Sequence, residues 1–193
     1  MNSVAIPNWN HQGVLPPINP VNPTSVERSP YAVSLTDFVL RFGTSSKRQS
    51  ILAGFLQFRS ALHAIRLVNG FQWVNGSFLE DIETIEKRNP GDIDAVTFFH
   101  LPTGQTQESL LRISPRLFKP SLTKADYHVD AYFVQLNGGA PEPLVQLSTY
   151  WYSIWSHRRN EQWKGYLQID LSSADDQVAK TNLDQMTNQG GQP

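Results

Sequence analysis

The chain contains no cysteine, which excludes disulfide bonds, thiolate nucleophiles and cysteine-ligated metal sites. No apolar run approaches the roughly 18 residues needed to span a membrane, and Pro7 and Asn8 interrupt any early signal-peptide pattern. Neither sign of charge is in excess, since 16 basic and 17 acidic residues give a formal net charge of −1. We therefore expect a cytoplasmic protein that contacts no membrane and binds no extended nucleic acid.

Several common catalytic motifs are absent as well. The sequence has no Gly-x-x-x-x-Gly-Lys-Ser/Thr phosphate loop, no Gly-x-Gly-x-x-Gly stretch and no Gly-x-Ser-x-Gly elbow. The five histidines show no metal-binding spacing such as His-x-x-x-His. What is present is a moderate apolar content, 39% hydrophobic and 11% aromatic, which is enough for one folded domain in 193 residues.

Proline and polar residues are concentrated at the two ends of the chain. Residues 1–30 hold six of the 13 prolines and predict an extended arm, either docked through side chains such as Ile6, Trp9 and Val14 or free as a leader. Residues 172–193 are polar and rich in Gly, Gln and Asn, which predicts a flexible tail. The folded domain is then expected over residues 31–171.

Hydrophobic periodicity within residues 31–171 predicts both helices and strands. Ile51, Phe55, Phe58, Leu62 and Ile65 recur on one face of a helix over 47–68, with Arg59 and Arg66 expected in solvent. Further helices are predicted after Ser77, over 106–113 and over 144–155, and strands over 71–75, 92–100, 128–136 and 163–171. This pattern predicts an α+β fold, a mixed β-sheet flanked by helices.

Two carboxylates stand at the start of the second predicted strand. Asp92 and Asp94 are two residues apart, so on a strand they share one face at a separation of about 6–7 Å. Such a pair is suited to a divalent cation, because two like charges are costly to bury without a counter-charge. The alternative is that Asp92 caps the turn after Gly91 while Asp94 forms a salt bridge.

A Gly-Ser pair follows the first predicted strand. Gly76 would let a phosphate approach the backbone closely, and Ser77 would open a helix whose N–H groups bind phosphate. The alternative is structural, because Ser77 and Glu80 have the spacing of a capping box.

The combination of these two motifs resembles the nucleotidyltransferase superfamily of the DNA polymerase beta type. The matching residues are Val74-Asn75-Gly76-Ser77 and Gly91-Asp92-Ile93-Asp94-Ala95. The resemblance implies a small nucleotidyltransferase fold and a third carboxylate on the neighbouring strand. Asp130 is the candidate, with Asp126 as runner-up, and an unrelated salt bridge of Asp130 remains the alternative.

A wider pattern resembles a family of small bacterial proteins of this superfamily over most of residues 14–171. It rests on 48–59, 71–78, 90–94, Ser156-His157-Arg158 and Trp163-Lys164-Gly165. The resemblance implies that Asp92, Asp94 and Asp130 hold two Mg²⁺ ions. It also implies transfer of a nucleoside monophosphate from an NTP to a hydroxyl of a protein, an RNA end or a small molecule.

Basic and aromatic residues near the last predicted strand have two interpretations. His157, Arg158, Arg159 and Lys164 would grip phosphates, or they form a solvated turn that caps a helix. Trp151, Trp155 and Trp163 would stack a base, or they build the core.

The resemblance also suggests a biological setting and a rival function. Minimal members often act beside a protein partner as toxins, antitoxins or modifying enzymes, in toxin–antitoxin or phage-defence systems. The main rival hypothesis is a catalytically degenerate fold that serves as a partner-binding or antitoxin subunit, and a third is a nucleotide sensor that binds without turnover.

Overall fold

The computed structural model describes residues 3–189, which form an α+β domain with a mixed five-stranded sheet flanked by seven α-helices. The strands are β1 Tyr31–Val33, β2 Gly70–Asn75, β3 Ile93–Phe99, β4 Val129–Gln135 and β5 Leu167–Asp170. The helices are α1 Leu35–Phe42, α2 Ser46–Ala64, α3 Ile82–Ile85, α4 Gln107–Ile113, α5 Pro120–Tyr127, α6 Pro141–Trp155 and α7 Asp176–Gln189. The predicted fold class is confirmed.

The strand order is β1-β5-β2-β3-β4. The β1–β5 and β3–β4 pairs are parallel, whereas β2 runs antiparallel to both β3 and β5. The register places Asn75 opposite Asp94, and Asp94 opposite Asp130. Because paired residues on neighbouring strands point to the same face, this register gathers three polar side chains at one edge of the sheet.

The long helix α2 packs its predicted apolar face into the core. Ile51, Phe55, Phe58 and Leu62 are fully buried, as their spacing predicted. The helix begins after Ser45, whose hydroxyl accepts the backbone N–H of Arg48 at 3.3 Å. The four predicted strands are all present within a few residues of their expected bounds, whereas β1, α1 and α5 were not predicted.

The prediction that Arg59 is solvated is wrong, while Arg66 is exposed as expected. Arg59 is completely buried between α7 and the sheet. Its guanidinium donates to the Gln72 side chain at 2.7 Å, to Asp176 at 2.7 Å and to the Ser172 carbonyl at 2.9 Å. These partners satisfy the buried charge, and two of them come from the segment that the sequence predicted to be flexible.

The C-terminal segment is ordered over residues 172–189, contrary to the predicted flexible tail. Helix α7 buries Ala179 and Leu183 against the domain, and Asp175 accepts bonds from the Thr36 backbone and hydroxyl at 2.7 and 2.6 Å. The average hydropathy of this segment is low, and the average does not show that the two apolar side chains, Ala179 and Leu183, lie one helical turn apart. The rest of that prediction, residues 190–193, lies outside the described residues.

The N-terminal arm is docked from residue 3 to about residue 18. Val14 and Leu15 are buried, and the Trp9 indole donates to the Leu79 carbonyl at 2.7 Å. Backbone bonds join Asp81 N–H to Gly13 and Gly165 N–H to Leu15, at 2.9 and 2.7 Å. Of the two alternatives for the arm, the docked one is therefore the one observed.

Within residues 3–189, no helix combines the length and the apolar character that crossing a membrane requires.

Removing the charge of Asp176 tests the role of the Arg59 contact. Asp176→Asn leaves a buried guanidinium without its counter-charge, so we expect the free energy of unfolding to fall by about 2–4 kcal/mol in urea denaturation. Asp184→Asn is a matched control in the same helix, because it breaks only an exposed pair with Lys180 and should change stability by less than about 0.5 kcal/mol. Equal losses in the two variants would contradict this account.

Candidate active site

A cleft of about 830 Å³ opens at the polar edge of the sheet. All nine residues proposed from the sequence to bind metal or phosphate line it: Gly76, Ser77, Asp92, Asp94, Asp130, His157, Arg158, Arg159 and Lys164. They come from distant segments of the chain, and the strand register brings them together.

The three carboxylates lie at the ends of two parallel strands. Asp92 stands directly before β3, Asp94 lies within β3 and Asp130 faces it from β4. One oxygen of each lies within 4.8 Å of one oxygen of each of the others. The runner-up Asp126 is instead paired with Arg116 at 2.7 Å on the exposed side of α5, so Asp130 is the third acid of the cluster.

The cluster concentrates negative charge in a partly buried place. Burial, and then the neighbouring charges of Asp92 and Asp130, raise the pKa of Asp94 to about 6, against the opposing influence of Lys164 and Lys124. A carboxyl with this pKa binds a proton or a cation more readily than an ordinary aspartate. At neutral pH the negative charges of the cluster therefore repel one another, and they destabilise the protein unless a positive group lies beside them.

Lys124 supplies part of that positive charge and was not anticipated from the sequence. It projects from the last turn of α5, and its ammonium lies 2.7 Å from Oδ2 of Asp92. The contact with Asp92 raises the pKa of Lys124, and Asp130 and Asp94 add to this effect. No sequence signal marked Lys124, because α5 itself was not predicted.

The opposite wall of the cleft is organised by Glu80, which is only 3% exposed. Its carboxylate accepts from the Lys164 ammonium at 2.7 Å and lies 3.2 Å from Nε of Arg158, which also pairs with Glu86. The capping-box alternative is therefore wrong, because Glu80 binds the two cations instead of the helix start. Arg158 and Lys164 are held in place and do not form a solvated turn.

Gly76 meets the acidic cluster directly. Its φ of 92° and ψ of −177° are accessible only to glycine, and a Cβ there would lie 2.8 Å from Oδ2 of Asp94. Ser77 opens a single 3₁₀ turn, Ser77–Leu79, and the short α3 follows, so the helix predicted after Ser77 is present only as two short, separate helical turns. The close approach of the Gly76 backbone to the Asp94 carboxylate is therefore what requires a glycine at this position.

The remaining wall combines aromatic and basic side chains. Trp151 and Trp155 are almost fully buried at the edge of the cleft, whereas Trp163 is half exposed. The core interpretation therefore holds for the first two. The His157 ring lies 3.0 Å from the Arg158 carbonyl, at the rim of the cleft.

Asn75 is a second site residue that sequence reasoning did not single out for its side chain. It is 2% exposed and donates to the Trp155 carbonyl at 2.9 Å. Its Oδ1 is buried without a hydrogen-bond partner in residues 3–189, although Asn75 lines the cleft opposite Asp94. Buried polar atoms are normally paired, so this oxygen marks a position where a ligand or water belongs.

Charges around the cleft are balanced. Five acids and five bases line it, with histidine counted as neutral: Glu80, Glu86, Asp92, Asp94, Asp130, Arg88, Lys124, Arg158, Arg159 and Lys164. Lys124 contacts the acidic cluster, whereas Arg158 and Lys164 pair with Glu80. The cleft therefore presents both carboxylates and paired cations to a ligand.

The donor set fits a hard divalent cation. Three carboxylates within 4.8 Å of one another offer only oxygen ligands, which Mg²⁺ prefers. Burial and the neighbouring carboxylates raise the pKa of Asp94, and Oδ1 of Asn75 is buried without a hydrogen-bond partner in residues 3–189, so both groups would gain from a bound cation. The residues present therefore fit the ion that the sequence suggested.

Comparison with known families identifies a wider group of related chains. Residues 7–170 match the model of a family described as a family of unknown function (DUF6932). The chain belongs to this family. The match includes the docked arm from residue 7 onward and the whole cleft, and it ends before α7. Searches of curated proteins and of solved structures find no match.

The raised pKa of Asp94 predicts a specific effect on stability. Between pH 3.8 and about 6 the folded carboxyl binds more protons than the unfolded one, so this group's contribution to stability falls as pH rises through that window. Asp94→Asn removes the repulsion, and we expect it to stabilise the metal-free protein at pH 7.5 by roughly 1–2 kcal/mol. The gain should shrink towards pH 4.5.

Urea denaturation in EDTA at pH 4.5, 6 and 7.5 measures this effect. Asp126→Asn provides the control, because that aspartate is exposed and its pairing with Arg116 lowers its pKa. This control should give no stabilisation at any of the three pH values. A wild-type protein as stable as Asp94→Asn at pH 7.5 would contradict the proposed repulsion.

Gly76→Ala tests the close approach to Asp94. The new methyl group must strain the backbone and displace the carboxylate, so we expect a loss of roughly 1–3 kcal/mol in the free energy of unfolding. Gly91→Ala is the matched control, because a methyl group there would meet no atom within 4 Å. Similar stability changes at both glycines, measured by thermal unfolding, would argue against this constraint.

Proposed function

We propose that the protein is a Mg²⁺-dependent nucleotidyltransferase, which moves a nucleoside monophosphate from an NTP to a hydroxyl acceptor. The observation that carries the proposal is the cluster of Asp92, Asp94 and Asp130 at the strand ends, directly beside Gly76. The basic side chains of Arg158 and Lys164 line the same cleft. Acids that would hold metal ions and bases that would contact phosphates in one cleft support the proposal.

Each group has a role that follows from its chemistry. The three carboxylates would hold the metal ions, and when bound these ions supply charge neutralisation and activation of the acceptor hydroxyl. Lys164 and Arg158 would contact the phosphates, with Glu80 fixing their positions. Gly76 leaves room beside the cluster, and Ser77 and His157 line the same cleft, where they would be further contacts for the phosphates.

The reaction conserves atoms and charge without an external oxidant or reductant. The acceptor oxygen forms a bond to the α-phosphorus, and the bond from that phosphorus to the oxygen shared with the β-phosphate breaks. Pyrophosphate leaves, and the hydroxyl proton passes to a carboxylate of the cluster or to water. Catalysis then consists of positioning and charge stabilisation, which is what the residues of this cleft offer.

The setting of the reaction stays a prediction. A cytoplasmic location agrees with the lack of cysteine. A protein, an RNA end and a small molecule all remain candidate acceptors, and a toxin–antitoxin or phage-defence partner would supply a protein acceptor.

One observation favours the rival function, a catalytically inactive subunit that binds a protein partner. Helix α6 exposes apolar side chains that a partner would cover, including Val145 at 66%, Tyr150 at 55% and Ile154 at 40% exposure. This rival gives no reason to keep three mutually repelling acids beside Gly76. The enzyme is therefore the stronger proposal.

Nucleotide binding decides between the two functions. Calorimetric titration of each NTP with Mg²⁺ should give micromolar binding to the wild type and none to Asp92→Asn/Asp94→Asn, because the variant lacks two of the three carboxylates that would hold the metal ions. Transfer of a labelled nucleotide in cell lysate should follow the same pattern. Asp126→Asn is the control for loss of an acid outside the cleft, and it should bind and transfer like the wild type.

Two results of the titration would contradict the proposal. A folded wild type that binds no NTP with Mg²⁺ would contradict the stand-alone enzyme and favour the partner-binding subunit. Equal NTP binding by the wild type and the double variant would contradict the assignment of the acids as metal ligands.

A further inference from the structure

Lys124 occupies an unusual position for a surface lysine. Its ammonium lies 2.7 Å from Asp92, whose carboxylate belongs to the cluster of three acids within 4.8 Å of one another. Its side chain is 55% exposed, so it reaches the cluster from the solvent side of the cleft. Lys124 is thus the cation in contact with the acids that the proposed function assigns to the metal.

The backbone around Lys124 holds it at this place. The Lys124 carbonyl accepts the His128 N–H at 3.1 Å, where His128 ends α5 in the left-handed conformation. The next residue begins β4, which carries Asp130. One short turn therefore fixes the lysine and the third carboxylate relative to each other. Gly54 of α2 packs closely against the same turn, because any side chain at Gly54 would collide with the Tyr127 carbonyl.

An exposed ion pair of this kind contributes little to stability in most proteins. Here its partner is one of three repelling carboxylates, and the ammonium partly neutralises them all. A divalent ion bound at Asp92 would repel the ammonium that lies 2.7 Å from the same carboxylate. The lysine and the metal ion therefore compete for the same negative charge.

We propose that Lys124 is a built-in counter-cation, which stabilises the acidic cluster while no metal is bound and is displaced when a divalent ion enters. This inference rests on the proposed function, because it takes the three acids to be metal ligands. Lys124 is a positioning residue in this scheme, and it raises the metal concentration at which the cleft fills. A metal ion delivered together with a nucleotide would then be favoured over a free one, because the phosphates offer the displaced ammonium a new partner.

Binding of Mn²⁺ alone tests the inference without any assay of activity. Free Mn²⁺ is measured by electron paramagnetic resonance during titration of the wild type, Lys124→Met, Lys119→Met and Asp94→Asn. Lys119 is the matched control, because it is exposed at the start of the same helix and lies outside the cleft. Lys124→Met should bind Mn²⁺ about five- to tenfold more tightly than the wild type, whereas Lys119→Met should not differ.

A second measurement separates this role from a purely structural one. Without metal, Lys124→Met should melt at a lower temperature than the wild type, because the acids have lost their counter-charge. Saturating Mn²⁺ should remove most of that difference. A lysine that only fastens α5 to the sheet would leave the variant equally destabilised with and without Mn²⁺.

The outcomes distinguish the inference from the proposed function. Mn²⁺ binding that is equal or weaker in Lys124→Met, with clear binding to the wild type and weaker binding to Asp94→Asn, would overturn the role of Lys124 and leave the metal site standing. No Mn²⁺ binding to the wild type or to Lys124→Met would overturn both proposals.

Discussion

Mutual repulsion among Asp92, Asp94 and Asp130 shapes the structure around the cleft. The strand register forces the three carboxylates together, and burial makes their charge harder to hold. Lys124 relieves the repulsion from the solvent side, and Lys164 acts on Asp94 from the other wall. A fold that needed only stability would gain from apolar or amide side chains at these positions, and for this reason the three acids carry the proposal of a metal site.

The other wall of the cleft depends on parts of the chain that lie far away in sequence. The arm bonds to Leu79 and Asp81 on either side of Glu80, and to Gly165 next to Lys164. The Glu80–Lys164 pair is therefore held by backbone contacts that do not involve its own charges. The family match likewise starts within the arm, at residue 7, and not at the first strand.

The site was more predictable from the sequence than its supporting structure. Asp92 and Asp94 could be predicted because their spacing matches the strand period. Gly76 could be predicted because a glycine directly after a strand marks a turn or a close approach to the backbone. Lys124 and Glu80 could not, because a single lysine or glutamate carries no local signature of its partner. Their roles depend on contacts across 32 and 84 positions of the chain.

The errors at Arg59 and in α7 have the same origin. Arg59 lies on a helix face that looks solvent-accessible until α7 covers it, and α7 looks too polar to fold until it meets that face. Helix α7 buries Arg59, and Arg59 in turn gives α7 a partner that holds it against the domain. Local composition does not register such reciprocal contacts, whereas the periodic apolar face of α2 was visible without them.

The position of β5 between β1 and β2 has a consequence for the order in which the protein acquires its structure. Tyr31 at the start of the first strand pairs with Leu167 in the last one, so the sheet closes only around a strand that is synthesised near the end of the chain. On the ribosome, the arm and β1 must wait for more than 130 residues before their partner emerges. Such long-range pairing slows folding, and it leaves the unpaired edge of β2 exposed to other chains until β5 arrives.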